Sequence, residues 1–262
     1  MTEFVTAPDG VRIAHEVVGE GAPVVLIHGF GSDRNQNWRW PGWYDALNGA
    51  GYSVVALDCR GHGESDKPRD PALYDELTMI GDVLLVMKAA GRSRAAVMGY
   101  SMGGYMTVRL MHDAPERVAR AIVAGVGSVY FSRDNGWRAM VADGILAETD
   151  AGLSPVQRMF RDFARQPGKD PVALAACMRS PRTSLSAEEL ASLRTPALVV
   201  CGGSDDVSGP PGPLAAALGS ARAAVVPNRD HMRTVGDKLY KQAVLEFLGR
   251  HNATGGEHGA LH

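Results

Sequence analysis

The sequence predicts an α/β fold: a mostly parallel, doubly wound sheet with helices on both faces. Three observations predict it. Short apolar runs rich in Val, Ile and Leu recur along the chain, bounded by Gly or Pro. Those runs lack polar alternation, so both faces of each strand must be covered, as in a parallel sheet. Helical patterns separate them, which requires strand-helix-strand crossovers.

Residues 4–6 and 11–18, around Asp9-Gly10, read as an antiparallel hairpin. Buried strands are expected at 24–27, 52–57, 95–100, 119–124, 196–201 and 223–226. A helix is expected over 77–90, with Val83, Leu84 and Met87 on one face and Gly91 as the stop. Others are expected over 102–112 and 237–248. Between 131 and 193 strand signals give way to helix starts. Ser154-Pro155 and Asp170-Pro171 each place an N-cap before a proline at the first helical position. Ser186 and Glu189 form a capping box. Val156, Met159, Phe160 and Phe163 make a helical stripe. The expected organisation is a core domain of residues 1–130 and 194–250, a helical cap of 131–193 between strands 6 and 7, and a disordered polar tail, 251–262.

The 262 residues suffice for one large domain with a sizeable core. Apolar residues make up 45% and charged residues 21%, which excludes wholesale disorder. Lys plus Arg is 27 against 29 for Asp plus Glu, a net charge of −2, so no nucleic-acid or membrane partner is expected. No apolar run approaches the ~18 residues of a membrane span. Glu3 and Asp9 stand where a signal peptide would be basic and then apolar. Cys59, Cys177 and Cys201 are widely spaced with no C-x-x-C pair, which points to a reducing, cytoplasmic setting.

The chemistry starts at Gly99-Tyr100-Ser101-Met102-Gly103, a G-x-S-x-G motif between an expected buried strand and an expected helix. A serine in so tight a turn needs small neighbours, and Gly99, Gly103 and Gly104 supply them. The turn lifts the hydroxyl to the carboxyl edge of the sheet, where open α/β sheets bind ligands. A serine nucleophile needs a base, and the base needs an orienting carboxylate. Of eight histidines, His231 alone follows the last strand and has an acidic loop, Gly203-Ser204-Asp205-Asp206-Val207, after the preceding strand. Either aspartate can reach the imidazole, and Asp206 is the expected acid.

The order Ser101, Asp206, His231 in these strand contexts resembles the α/β-hydrolase family, in particular its serine carboxylesterases. The resemblance runs from the hairpin to about residue 250. His28-Gly29-Phe30-Gly31 resembles the family's oxyanion loop, and Asp58-Cys59-Arg60-Gly61-His62-Gly63-Glu64-Ser65 its loop after the fourth strand. Asp230 stands where many relatives have Gly before the histidine. The resemblance implies Ser101 as nucleophile, His231 as base, Asp206 as the orienting acid, and an oxyanion hole of the Phe30 and Met102 backbone N–H groups. It implies no cofactor and no metal; His28, His62 and His231 are not expected to form a metal site.

The expected reaction is hydrolysis of a small, uncharged carboxylic ester through an acyl-enzyme. The same triad serves cofactor-free perhydrolases or haloperoxidases and C–C bond hydrolases, and a small-molecule receptor on this fold is the reading from another class. Expected pocket residues are Trp38 and Trp40 after the oxyanion loop, and Trp137, Met159, Phe160 and Phe163 from the helical insertion.

Overall fold

The apolar runs are buried on both sides because successive side chains leave a strand in opposite directions. Val24 and Leu26 of one strand enter one core with Val54, Met98, Ile122 and Val200 of its neighbours. Val25 and Ile27 enter the other with Val55, Val97, Val123 and Val199. The computed structural model, which describes residues 1–132 and 134–249, assembles eight strands into one sheet. They are β1 (Glu3–Thr6), β2 (Arg12–Val18), β3 (Ala22–Ile27), β4 (Tyr52–Leu57), β5 (Ala95–Tyr100), β6 (Val118–Ala124), β7 (Ala197–Gly202) and β8 (Ala221–Val226). The order is β1-β2-β4-β3-β5-β6-β7-β8. The hairpin β1–β2 joins β4 antiparallel, and all pairs from β4 to β8 are parallel.

Helices α1 (Trp43–Gly49) and α10 (Lys238–Gly249) cover the first core, through Trp43, Leu47, Tyr240 and Val244. Helices α2 (Glu76–Ala89) and α3 (Met102–Asp113) cover the second, through Val83, Met87, Met106 and Leu110. Between β6 and β7 stand α4 (Asn135–Leu146), α5 (Pro155–Ala164), α6 (Pro171–Arg179) and α7 (Ala187–Ser192). Their starts follow the caps read from sequence. Ser154 caps α5, Asp170 accepts from the Val172 and Ala173 amides, and Ser186 with Glu189 closes a capping box on α7. Helix α8 (Gly212–Ala217) follows β7, and α9 (His231–Thr234) follows β8.

Three features depart from expectation. Helices α1 and α8 carry no side-chain cap, and neither was expected from the sequence, although Pro213 stands in the first turn of α8. A single π-helical turn, Asn35–Arg39, follows the β3 loop. Strand β8 is at the sheet edge and exposes Arg222, Ala223 and Val225, where a fully buried strand was expected. An edge strand has one pairing neighbour, and its apolar composition does not report that. The expected tail, 251–262, lies outside the described residues.

Candidate active site

Ser101 is the hinge between β5 and α3, with φ 52° and ψ −111°. A non-glycine residue with positive φ stores strain of about 1–3 kcal/mol and persists only where the surroundings over-determine it. They do so here. The Ser101 amide donates to the Ala124 carbonyl at 2.8 Å, and the Ser101 carbonyl accepts from Tyr105 at 3.1 Å. The crossing of strand, turn and helix is close. A Cβ at Gly99 would overlap the Gly103 carbonyl, and one at Gly103 would overlap the Ile27 carbonyl. Both glycines are therefore required by backbone approach.

His231 opens α9, beside the elbow. Its carbonyl accepts from the Tyr100 hydroxyl, its ring lies 5.3 Å from that of Tyr100, and Gly125 leaves room for its Cε1 edge. Its Nδ1 lies 2.8 Å from Asp205 Oδ2. Asp206 is exposed, so the expectation for the acid is corrected from Asp206 to Asp205. The reason is the path of the turn after β7. The Asp205 amide donates to Gly202 and its carbonyl accepts from Gly209, which turns this side chain inward and the next one out. The buried Asp205 carboxylate also accepts at Oδ1 from the amides of Val207, at 3.0 Å, and Ser208, at 2.9 Å. Burial alone would raise its pKa. The bond to His231 and those from Ser208 outweigh burial and hold it below the usual aspartate range. An ionised carboxylate can only accept, so Nδ1 carries the imidazole proton and Nε2 presents a lone pair.

The loop after β3 lies against the elbow. A Cβ on Gly29 would sit 3.5 Å from that of Ser101. The Gly29 amide donates to Asn37 Oδ1 at 3.0 Å, which fixes the loop to the π-helical turn. Among the described residues, the Phe30 and Met102 amides meet no acceptor. Met102 is the first residue of α3, where free amides and the helix dipole favour negative charge.

Ser101, His231, Phe30, Met159, Phe160 and Phe163 line one cavity of about 440 Å³. Gln36, Asn37, Pro41, Met232 and Val235 complete much of its wall. The sequence reading missed them, because nothing in their spacing announces which way the π-helical turn or α9 faces. A second cavity of about 80 Å³ shares Phe30 and Phe160 with the first and adds Met102 and Trp137. Trp38 and Trp40 line neither, which corrects both expectations. Trp38 is fully buried in the opposite core, edge-on to Trp43 at 6.1 Å, and Trp40 is 73% exposed.

His28 and His62 are structural in geometry. His28 Nδ1 donates to the Gly29 carbonyl at 2.7 Å and Nε2 accepts from the Cys59 amide at 2.9 Å, so both nitrogens are committed to backbone. His62 Nδ1 donates to the Arg60 carbonyl at 2.9 Å. Burial pushes both pKa values down, that of His62 to about 3.

A strained serine at a strand-helix elbow, with a carboxylate-bound histidine beside it, defines an α/β-hydrolase type of site. The family model for the alpha/beta hydrolase fold matches residues 22–142, and the eight-stranded, mostly parallel sheet fits that fold. The chain is 45% identical over 121 residues to the dihydrolipoyllysine-residue acetyltransferase component of the acetoin cleaving system of Cupriavidus necator. That match covers 45% of this chain and 31% of the relative. The protein of the same name from Pseudomonas putida is 31% identical over 255 residues, covering 90% of this chain and 66% of the relative. The chain thus spans less than two thirds of these relatives. The crystal structure of a hydrolase from Pseudomonas aeruginosa PA01 shares the fold, with a TM-score of 0.76 and 24% identity, over 95% of this chain and 98% of that one. Among the described residues no helix is long and apolar enough to cross a membrane.

Proposed function

We propose that the protein is a serine hydrolase that cleaves a carboxylic ester with an apolar alcohol part through an acyl-enzyme on Ser101. The observation that carries this reading is the Asp205–His231 pair, opening with strained Ser101 onto one mostly apolar cavity. Ser101 Oγ attacks the ester carbonyl while His231 Nε2 takes its proton. Asp205 holds the imidazole tautomer and stabilises the imidazolium. The carbonyl oxygen becomes an oxyanion between the Phe30 and Met102 amides, where one donor is worth about 3–4 kcal/mol to the transition state. The C–O bond breaks as His231 returns the proton to the departing alcohol. Water then attacks the acyl-enzyme, gives its proton to His231, and the acid leaves as Ser101 regains its hydrogen. Phe160, Phe163, Met159 and Met232 line the cavity and match an apolar leaving group.

Ser101→Ala tests the reading. It should abolish turnover of 4-nitrophenyl esters while circular dichroism stays that of the parent. Turnover by the alanine variant, or none by the parent on any activated ester, would sink it; the second outcome favours the receptor reading. The names of the two acyltransferase relatives favour one second reading, in which a thiol replaces water as acceptor. Added thiol that diverts the acyl group to thioester faster than water releases acid would establish transfer.

A further inference from the structure

The second cavity is lined by α4 and the segment between α6 and α7, and holds two guanidinium groups, of Arg138 and Arg182, that form no ion pair among the described residues. Arg138 of α4 donates to the carbonyls of Cys177, at 2.8 Å, and Ser180, at 3.4 Å. The Arg182 amide donates to Asn135 Oδ1 at 2.9 Å, and its guanidinium donates from Nη2 to the Met79 sulfur at 2.9 Å. Its Nε and Nη1 are buried and meet no acceptor. Burial and the neighbouring Arg182 charge pull the Arg138 pKa down to about 10. The cavity's other charges do not balance the pair. Glu76 is 3.9 Å from Arg109 and accepts from the Thr183 amide at 3.4 Å, and Arg109 is also bound to Asp113. Buried guanidinium donors left open are unfavourable unless something fills them.

Position tells what fills them. The cavity touches Phe30 and Met102, whose amides face the scissile carbonyl in the mechanism above, and it contains neither Ser101 nor His231. The leaving alcohol must depart beside His231, which protonates it, and that residue lines the larger cavity. The smaller one is left for the acyl chain. At about 80 Å³ it is much smaller than the 440 Å³ cavity, which suits a short acyl chain.

We infer that Arg182, with Arg138 behind it, forms a carboxylate subsite for the acyl half of the substrate, so that the preferred substrate is a monoester of a short dicarboxylic acid. This replaces the uncharged acyl group expected from sequence, and it rests on the proposed hydrolase chemistry. Arg182 keeps two open donors, Nε and Nη1, each able to make a charge-assisted bond to a carboxylate oxygen.

The test compares benzyl hydrogen succinate with its neutral isostere, benzyl 4-methylpentanoate, by chromatography of released benzyl alcohol. The parent enzyme should favour the acidic ester at least tenfold in kcat/KM. Arg182→Met should reduce that preference at least tenfold, mainly through KM, and Arg182→Lys should recover part of it. Arg182→Gln serves if the methionine variant does not fold. Equal kcat/KM for the two esters in the parent, or an unchanged preference in the variants, would overturn the subsite. If neither ester turns over, the 4-nitrophenyl ester assay decides the hydrolase reading, and calorimetric titration of Ser101→Ala with benzyl hydrogen succinate reads the subsite by itself. Binding weakened at least tenfold by adding Arg182→Met supports it; no binding, or equal binding, refutes it.

Discussion

Asp205 spends both carboxylate oxygens, Oδ2 on His231 and Oδ1 on the Val207 and Ser208 amides. A carboxamide there would turn an NH2 group toward one of these donors and favour the wrong imidazole tautomer. Asp205→Asn should therefore lower kcat about 10⁴-fold, the scale known for this substitution in a serine triad, while exposed Asp206→Asn stays within threefold of the parent. Steady-state kinetics on one activated ester checks both, and the reverse ranking would return the acid role to Asp206. At this scale the serine and histidine were legible because each sits at a strand end that its flanking sequence marks. The aspartate was not. Two identical neighbours in one loop differ only in which way the turn aims them, and hydrogen bonds from Gly209 and to Gly202 decide that.

Helix α5 shows what an element contributes to the site. Its start is held by the reciprocal Ser154–Gln157 box, and Gln157 Nε2 also donates to the Met140 carbonyl of α4 at 3.0 Å. The helix thereby delivers Phe160 against Phe30, at 5.8 Å, and against Trp137, at 5.6 Å. Ser154→Ala removes the acceptor for the Gln157 amide and should cost about 1 kcal/mol in urea unfolding. It should also raise KM for apolar esters more than it lowers kcat, because the helix supplies cavity wall and no reacting atom. A variant as stable as the parent would show that packing alone holds the helix start. The stripe of Met159, Phe160 and Phe163 was readable from its spacing, as were the caps that start α5, α6 and α7. Trp38 and Trp40 were misassigned because the π-helical turn that carries Trp38 shifts which side faces the sheet.

For the whole molecule, burial of neutral histidines ties stability to pH. The folded pKa of His62 is about 3, against an unfolded value of about 6.5. Below pH 6.5 the unfolded chain binds a proton at this residue that the folded chain refuses, so stability falls as pH falls, and the loss is complete only near pH 3. Between pH 6.5 and 5 the loss from His62 is about 2 kcal/mol. His28, also shifted down by burial, acts in the same direction. Urea unfolding at pH 7 and pH 5 should show this decline, and His62→Asn should flatten it; an identical slope in the variant would place the sensitivity elsewhere. By itself the sequence determined the alternation of strands and helices, the glycine-lined elbow, and the histidine that follows the last strand. These are local properties, written in periodicity and in small residues where backbones cross. Tertiary structure alone decided which aspartate meets the imidazole, which tryptophans are core, and that two arginines line one cavity beside a single glutamate, Glu76, that leans on Arg109. Each depends on the direction of a side chain at the meeting of segments distant in the chain, and no local preference encodes that direction.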